Sequence, residues 1–197
     1  MKFPPIFLAS RSPRRIELLK NAGLDFIAEA ADVDENAVPA WYPKREIPAY
    51  LSRKKAEFFR HRSDEYVVVG ADTLVLCDGA PMGKPADARD AQRMLKELSG
   101  KTHEVVGGVS LIYRNKTHTF SETTAVRFRA LSDDEIAYYV ERFRPLDKAG
   151  AYGIQEWIGL RGVMRIEGDY YNVMGLPVCR LVREMESFLA TCAAPCE

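Results

Sequence analysis

Short apolar runs alternate with amphipathic stretches along the chain, and that alternation predicts interleaved strands and helices. Ile6 to Ala9 reads as a buried strand, and Arg14 to Ala22 as a helix with Leu18 and Leu19 inward, stopped at Gly23. A strand at Phe26 to Ala30 follows. Acids and prolines without a period fill Asp32 to Glu46, after which Pro48 opens a helix through Tyr50, Leu51, Lys55 and Phe58. Tyr66 to Gly70 is a continuous apolar strand, and Thr73 to Cys77 continues it across Asp72 to an Asp78-Gly79 turn. Asp87 is placed to cap a helix that ends near Ser99-Gly100.

Thr102 to Tyr113 and Thr117 to Arg129 are rich in Val, Thr and aromatic residues on either side of Asn115, which predicts two long antiparallel strands. Ser132 and Glu135 form a capping box for a helix to about Phe143. A Gly-punctuated loop, a strand at Val163 to Glu167, the Gly168-Asp169 turn, the segment Tyr170 to Val173 and a helix opened by Pro177 complete the order. No internal repeat or linker divides the chain, so the pattern implies one α/β unit on a mixed sheet.

The length of 197 residues suits one domain or two small lobes sharing a cleft. Hydrophobic residues at 47% and charged residues at 28% exclude disorder, a collagen-like fibre and a low-complexity scaffold. Lys plus Arg and Asp plus Glu both number 28, so no overall basic field favours nucleic acid and any polyanion site must be local. Phe3 to Ala9 is short, carries Pro4 and Pro5, and runs into Arg11, Arg14 and Arg15. That suits neither a signal peptide nor a membrane span, so a cytoplasmic protein is expected. Cys77, Cys179, Cys192 and Cys196 form no C-x-x-C pair, and His61, His103 and His118 do not cluster with them, which argues against a zinc site or a disulfide framework. Cys192 and Cys196 fall in an Ala-rich tail that is expected to fray.

Four stretches could carry chemistry. Ser10 to Arg15 puts two hydroxyls, first-turn N–H groups and guanidinium groups at a helix N-terminus, where the cations oppose the helix dipole by roughly 0.3–1 kcal/mol each unless an oxyanion sits there. A solvated basic turn is the alternative. Asp72 interrupts two apolar runs, and a carboxylate so placed needs a cation, a metal or donors beside it. Gly70 and Thr73 nearby suggest a ligand approaching the backbone. Asp32, Asp34 and Glu35 make an acidic loop of the oxygen-rich kind that suits magnesium with substrate phosphates, or else a solvated surface. Lys54, Lys55 and Lys84 could neutralise phosphates. In Asp147 to Gln155, glycines allow close backbone approach and the Gln155 amide both donates and accepts, as a nucleobase edge requires; an exposed amide on a glycine loop is the plainer reading.

Taken in order, Ser10 to Arg15, Asp34-Glu35, Gly70 to Thr73, Gly83 to Pro85, Leu98 to His103, Asp147 to Gln155 and Tyr170 to Pro177 resemble the motifs of the Maf family of nucleoside triphosphate pyrophosphatases. The resemblance runs to about Leu189, implying a single Maf-like domain over residues 1–189 and a tail over 190–197. It implies an elongated mixed sheet flanked by helices, in two lobes around a cleft, similar to inosine triphosphate pyrophosphatases. It also implies hydrolysis of a nucleoside triphosphate to the monophosphate and pyrophosphate with a divalent cation, magnesium or manganese. By position, Asp72 matches the family's proton acceptor, Glu35 and Asp72 its metal-side carboxylates, and Lys55 and Lys84 its phosphate-contacting lysines, with Ser10 and Arg15 in the substrate loop. The D-K-A-G-A-Y-G-I-Q form resembles the dTTP and UTP branch, in which Arg14, Thr73 and Gln155 set base specificity. Glu156-Trp157 departs from the Gly that the family usually has after the Gln, which leaves 7-methyl-GTP or a modified nucleotide open as substrate. A nucleotide-binding regulator of septum formation is the alternative from another class. The expected partner is a small nucleotide rather than nucleic acid or a membrane, and a homodimer is allowed.

Overall fold

The structure is a computed structural model that describes residues 3–35 and 37–193. Seven strands form one mixed sheet: β1 (Ile6–Leu8), β2 (Phe26–Ala28), β3 (Val67–Cys77), β4 (Ala80–Met82), β5 (Thr102–Tyr113), β6 (Lys116–Phe128) and β7 (Val163–Glu167). Their order is β2-β1-β3-β5-β6-β7, with β4 beside β3. β1 runs parallel to both β2 and β3, Phe7 pairing with Ile27 and Val68, whereas β4 is antiparallel to β3 and β7 to β6. Among the described residues, seven α-helices accompany them: α1 (Pro13–Asn21), α2 (Ile47–Phe58), α3 (Ala88–Leu98), α4 (Asp133–Phe143), α5 (Trp157–Gly162), α6 (Tyr170–Met174) and α7 (Val178–Ala193). None of the described helices is long and apolar enough to cross a membrane.

Local chemistry accounts for most boundaries. α1 takes Pro13 at its start and stops before Gly23, whose φ of +67° suits glycine. The Asp87 carboxylate accepts the Asp90 N–H at 2.8 Å and opens α3. Ser132 and Glu135 close the expected capping box on α4. Arg114 and Asn115 alone separate β5 from β6, a connection that only antiparallel neighbours permit. As the sequence predicts, the strand continues across Asp72: β3 runs unbroken from Val67 to Cys77.

The chain packs as two units. The first runs up to Asp72 and adds Gly107–Glu122 and the chain from Gly175 on; the second comprises Thr73–Val106 and Thr123–Met174. In the first, α2 lies so close to the sheet that a Cβ on Gly70 would stand 2.0 Å from the Ser52 carbonyl oxygen, and one on Gly108 would stand 2.1 Å from the Pro48 carbonyl carbon. Glycine at Gly70 therefore serves the approach of a helix, not of a ligand, which corrects the sequence reading. In the second, Ala91, Met94, Leu95 and Leu98 of α3 and Ile136, Tyr139 and Val140 of α4 bury one face each in a core with Val105, Phe128 and Tyr152.

One segment that the sequence reading left without an element is helical, and one part departs from that reading. Tyr170 to Met174 is helical, because the Asp169 carboxylate accepts the N–H groups of Tyr171 at 2.7 Å and Asn172 at 3.2 Å. α7 runs on through Cys192 to Ala193, so Cys192 belongs to a helix and not to a frayed tail, and Cys196 lies outside the described residues.

Candidate active site

In the first unit, the close approach of α2 at Gly70 brings Lys55 onto β3. Lys55 Nζ stands 2.7 Å from Asp72 Oδ1 and 2.7 Å from Glu35 Oε1, so one ammonium joins the strand carboxylate to the acidic loop. Lys55 and Asp72 are largely buried, with side-chain exposures of 9% and 13%, while Glu35 is half exposed. Burial raises the Asp72 pKa, and Lys55 and Arg15 pull it back toward the charged form. The cation that the strand carboxylate called for is thus Lys55. Its neighbour Lys54 turns away and covers the Tyr50 ring at 5.0 Å, and Asp32 and Asp34 are exposed.

The turn between β1 and α1 supplies the remaining members of this cluster. Ser10 is buried, and its hydroxyl oxygen accepts the Ser12 N–H at 3.2 Å and Arg15 Nη1 at 3.3 Å. Arg15 Nε donates to the Gly175 carbonyl at 2.9 Å, which holds the guanidinium across from Ser10. Withdrawal from water lowers the Arg15 pKa, and the nearby Asp72 charge opposes that shift. Arg14 follows in the same first turn, which holds no acidic residue. The role of Gly175 escaped the sequence reading, although the Tyr170 to Pro177 stretch that contains it is among the motifs of the resemblance.

In the second unit, Thr73 follows Asp72 along β3, and Lys84 is exposed just after β4. The Gly150 N–H donates to the Gly83 carbonyl at 3.0 Å, so the Gly83-Lys84-Pro85 loop adjoins the Asp147 to Gln155 loop. Gly150 has a φ of +68° and a Cβ there would press on Val75 at 3.1 Å, so this contact needs glycine. His103 Nε2 and the Tyr152 hydroxyl share a buried hydrogen bond of 2.7 Å that anchors the same loop. Desolvation depresses the His103 pKa from 6.5 to about 4, which keeps the imidazole neutral. Lys148, nine-tenths buried, lies 2.8 Å from Asp147 Oδ1 and 3.2 Å from Glu156 Oε1. Gln155 is exposed. Glu156 leaves the loop well anchored, and Lys148 and Tyr139, its two partners, were not singled out from the sequence because each reads as an ordinary surface or core residue.

Among the described residues, no three His, Cys, Asp or Glu side chains converge as a closed metal site. The Asp72 and Glu35 carboxylates that meet at Lys55 are hard oxygen donors. Magnesium or manganese held by one or two carboxylates, with water and substrate phosphate completing the shell, asks for no more protein ligands than this, so the pair fits such an ion.

Residues 5–188 match the Maf-like protein family. The chain belongs to the Maf family. Among curated relatives, this Maf chain is 48% identical over 186 residues to a Porphyromonas gingivalis protein named dTTP/UTP pyrophosphatase, covering 93% of this chain and 94% of that one. Proteins of the same name from Cytophaga hutchinsonii and Bacteroides fragilis are 45% and 46% identical over 181 and 183 residues, covering 92% of the Maf chain in both cases and 83% and 94% of the relatives. A solved structure of a nucleoside-triphosphatase, dITP/XTP pyrophosphatase from Mycobacterium abscessus, aligns with a TM-score of 0.39 at 16% identity over 63% of this chain and 72% of that chain. At that level the α/β assignment rests on the seven-stranded sheet itself.

Proposed function

We propose that the chain hydrolyses dTTP and UTP to the monophosphate and pyrophosphate. The observation that carries this reading is the Lys55 ammonium shared by Asp72 and Glu35, beside Ser10 and Arg15, in a chain whose relatives at 45–48% identity bear the name dTTP/UTP pyrophosphatase.

In this mechanism Asp72 accepts a proton from the water that attacks the α-phosphorus, and pyrophosphate leaves. Lys55 works against the upward shift that burial imposes on the Asp72 carboxyl and so favours the charged form that a base needs. Ser10, Arg15 and the first-turn amides of α1 orient the phosphate chain and offset its charge, and Lys84 contributes a further point charge. A divalent ion bound with substrate would be held by Asp72 and Glu35 and would neutralise phosphate oxygens. Arg14, Thr73 and Gln155 set the base preference.

Purified protein supplied with magnesium and each nucleoside triphosphate tests the proposal. Monophosphate and pyrophosphate from dTTP and UTP support it. Diphosphate and phosphate as products would move the broken bond, and binding without any product would favour the nucleotide-binding regulator instead.

A further inference from the structure

Gly153 to Glu156 form a four-residue turn in which the Glu156 N–H donates to the Gly153 carbonyl at 3.0 Å. Both ends of the turn meet one atom. The Tyr139 hydroxyl accepts the Gly153 N–H at 3.0 Å and donates to Glu156 Oε2. Tyr139 is fully buried on α4, its ring stacked on Phe143 at 5.1 Å. Burial, and then the hydrogen bond to Glu156, push the phenol pKa up, so the oxygen keeps the proton it donates. Lys148 Nζ stands 3.2 Å from the other Glu156 oxygen and offsets its charge. Inside the turn Ile154 is buried in the core, and a Cβ on Gly153 would stand 2.7 Å from Glu156 Cδ, so a side chain there would displace the Glu156 carboxylate. Gln155 alone of the four is exposed.

We infer that Tyr139, Glu156 and Lys148 are positioning residues that clamp this turn at both ends, so that Gln155 offers its amide to a pyrimidine edge in one orientation; the inference rests on the base-reading role proposed for Gln155. An amide discriminates between bases only if the wrong base leaves groups unpaired. On a loose turn the backbone would shift and pair them again. A turn held by one buried hydroxyl at its first and fourth residues has no such freedom, and its supporting groups are themselves locked by packing and charge. The hydroxyl does this without carrying the core: Tyr139→Phe keeps the buried ring while releasing the Gly153 N–H and the Glu156 carboxylate.

The test measures kcat and KM for UTP and CTP, with amide hydrogen exchange across Gly153 to Glu156, in Tyr139→Phe, Glu156→Ala and Glu156→Gln, with Gln155→Ala as reference. In Tyr139→Phe and Glu156→Ala, exchange at Gly153 is expected to quicken about tenfold or more. The UTP-to-CTP ratio of kcat/KM should fall about tenfold toward that of Gln155→Ala, mainly through KM for UTP, with kcat on UTP within about twofold of the parent. Glu156→Gln, whose amide oxygen still accepts from Tyr139, should recover most of the ratio. Parental exchange or a parental ratio in Tyr139→Phe overturns the clamp. An equal loss of kcat on both nucleotides with the ratio intact also overturns it, leaving Tyr139 a structural residue. If Gln155→Ala itself keeps the parental ratio, base reading lies elsewhere and the clamp has no part in specificity, even where the Tyr139→Phe exchange is fast.

Discussion

Lys55 Nζ touches Asp72 Oδ1 at 2.7 Å across 17 residues of sequence, and both side chains are largely withdrawn from water. The pair exists because Gly70, two residues before Asp72 on β3, lets α2 come down onto the strand. A carboxylate in an apolar strand is costly alone, and the ammonium is what makes its charged form tenable.

Asp72→Asn keeps the shape of the side chain and removes its charge. kcat is expected to fall by roughly 10²–10⁴ for every nucleotide, the usual contribution of a positioned base, with the circular dichroism spectrum of the parent. Near-parental turnover on dTTP would remove Asp72 from the role of base. Substrate affinity measured with and without magnesium separates the two duties of the carboxylate, since a metal ligand lost would weaken the magnesium-dependent part of binding.

Lys55 and Lys84 should behave alike toward nucleotides and differently toward stability. Lys55→Met and Lys84→Ala should each lower kcat/KM on all triphosphates without changing their order, because neither the support of the Asp72 charge nor a phosphate contact depends on the base. Lys55→Met also strands the Asp72 carboxylate, at a cost near the lower end of the roughly 3–5 kcal/mol seen when one partner of a buried pair is removed. Lys84 is exposed, and its removal should stay within about 0.5 kcal/mol of the parent. Urea titrations and a nucleotide panel read both effects, and a reversal of base preference in either variant would show the phosphate contacts to be misassigned.

Gly70→Ala should couple the fold to the chemistry. Its methyl would need the space held by the Ser52 carbonyl, 2.0 Å away, and backbone cannot rotate aside as a side chain can. Stability should drop by an amount at or above the upper end of the roughly 1–3 kcal/mol typical of overpacked cores. Turnover should fall with it as α2 is lifted and Lys55 retreats from Asp72. A variant with parental Tm and parental kcat would contradict the packing described.

Much of this was legible because it is local. The capping box at Ser132, the Asp87 cap, the turn at Asp78 and Gly79 and the two long strands all declare themselves within a few residues. β4 did not, because Pro81 disguises a three-residue edge strand. Nor did α5, where Gly159 and Gly162 weaken the helical pattern; a Cβ on Gly159 would stand 1.8 Å from the Ile154 carbonyl oxygen, a demand set by packing. In the site, Asp72 announced its need for a cation, but residues alone could not tell Lys54 from Lys55. The duty of Tyr139 was hidden for the same reason: a tyrosine on an apolar helix face reads as core, and its partners lie 14 and 17 residues away.

His103 supplies a pH dependence with a definite sign. Its pKa falls from 6.5 to about 4 on folding through loss of solvent. Above pH 6.5 the imidazole is neutral in both states and its contribution to stability is fully present. As pH drops from 6.5 toward 4, the unfolded chain takes up a proton that the folded chain refuses, and stability declines by about 3 kcal/mol across that window. His103→Gln keeps a partner for the Tyr152 hydroxyl but has no proton to take up. The difference in unfolding free energy between parent and variant should therefore change across pH 4 to 6.5 and be flat above pH 7. A pH-independent difference would mean that His103 does not titrate as its burial dictates.

The base preference follows from the Gln155 amide. Uracil and thymine present two carbonyl acceptors flanking one N3–H donor, and a primary amide held in one orientation can donate to a carbonyl while accepting from N3–H. Cytosine replaces one acceptor with an amino donor and loses the N3 proton, so an amide set for uracil meets donor with donor and acceptor with acceptor. Unpaired groups of this kind cost roughly 1–3 kcal/mol, or about 5- to 150-fold in kcat/KM. Nothing in this pairing touches C5, so dTTP and UTP should be used comparably and both should exceed CTP by that margin. Gln155→Ala should narrow the margin while leaving kcat on UTP largely intact, since the amide is assigned to the base and takes no part in the phosphate chemistry assigned to Asp72. kcat/KM values across dTTP, UTP, CTP, dATP, dGTP and 7-methyl-GTP provide the measurement. A purine preferred over UTP would refute the pyrimidine assignment and leave the Asp72 mechanism standing.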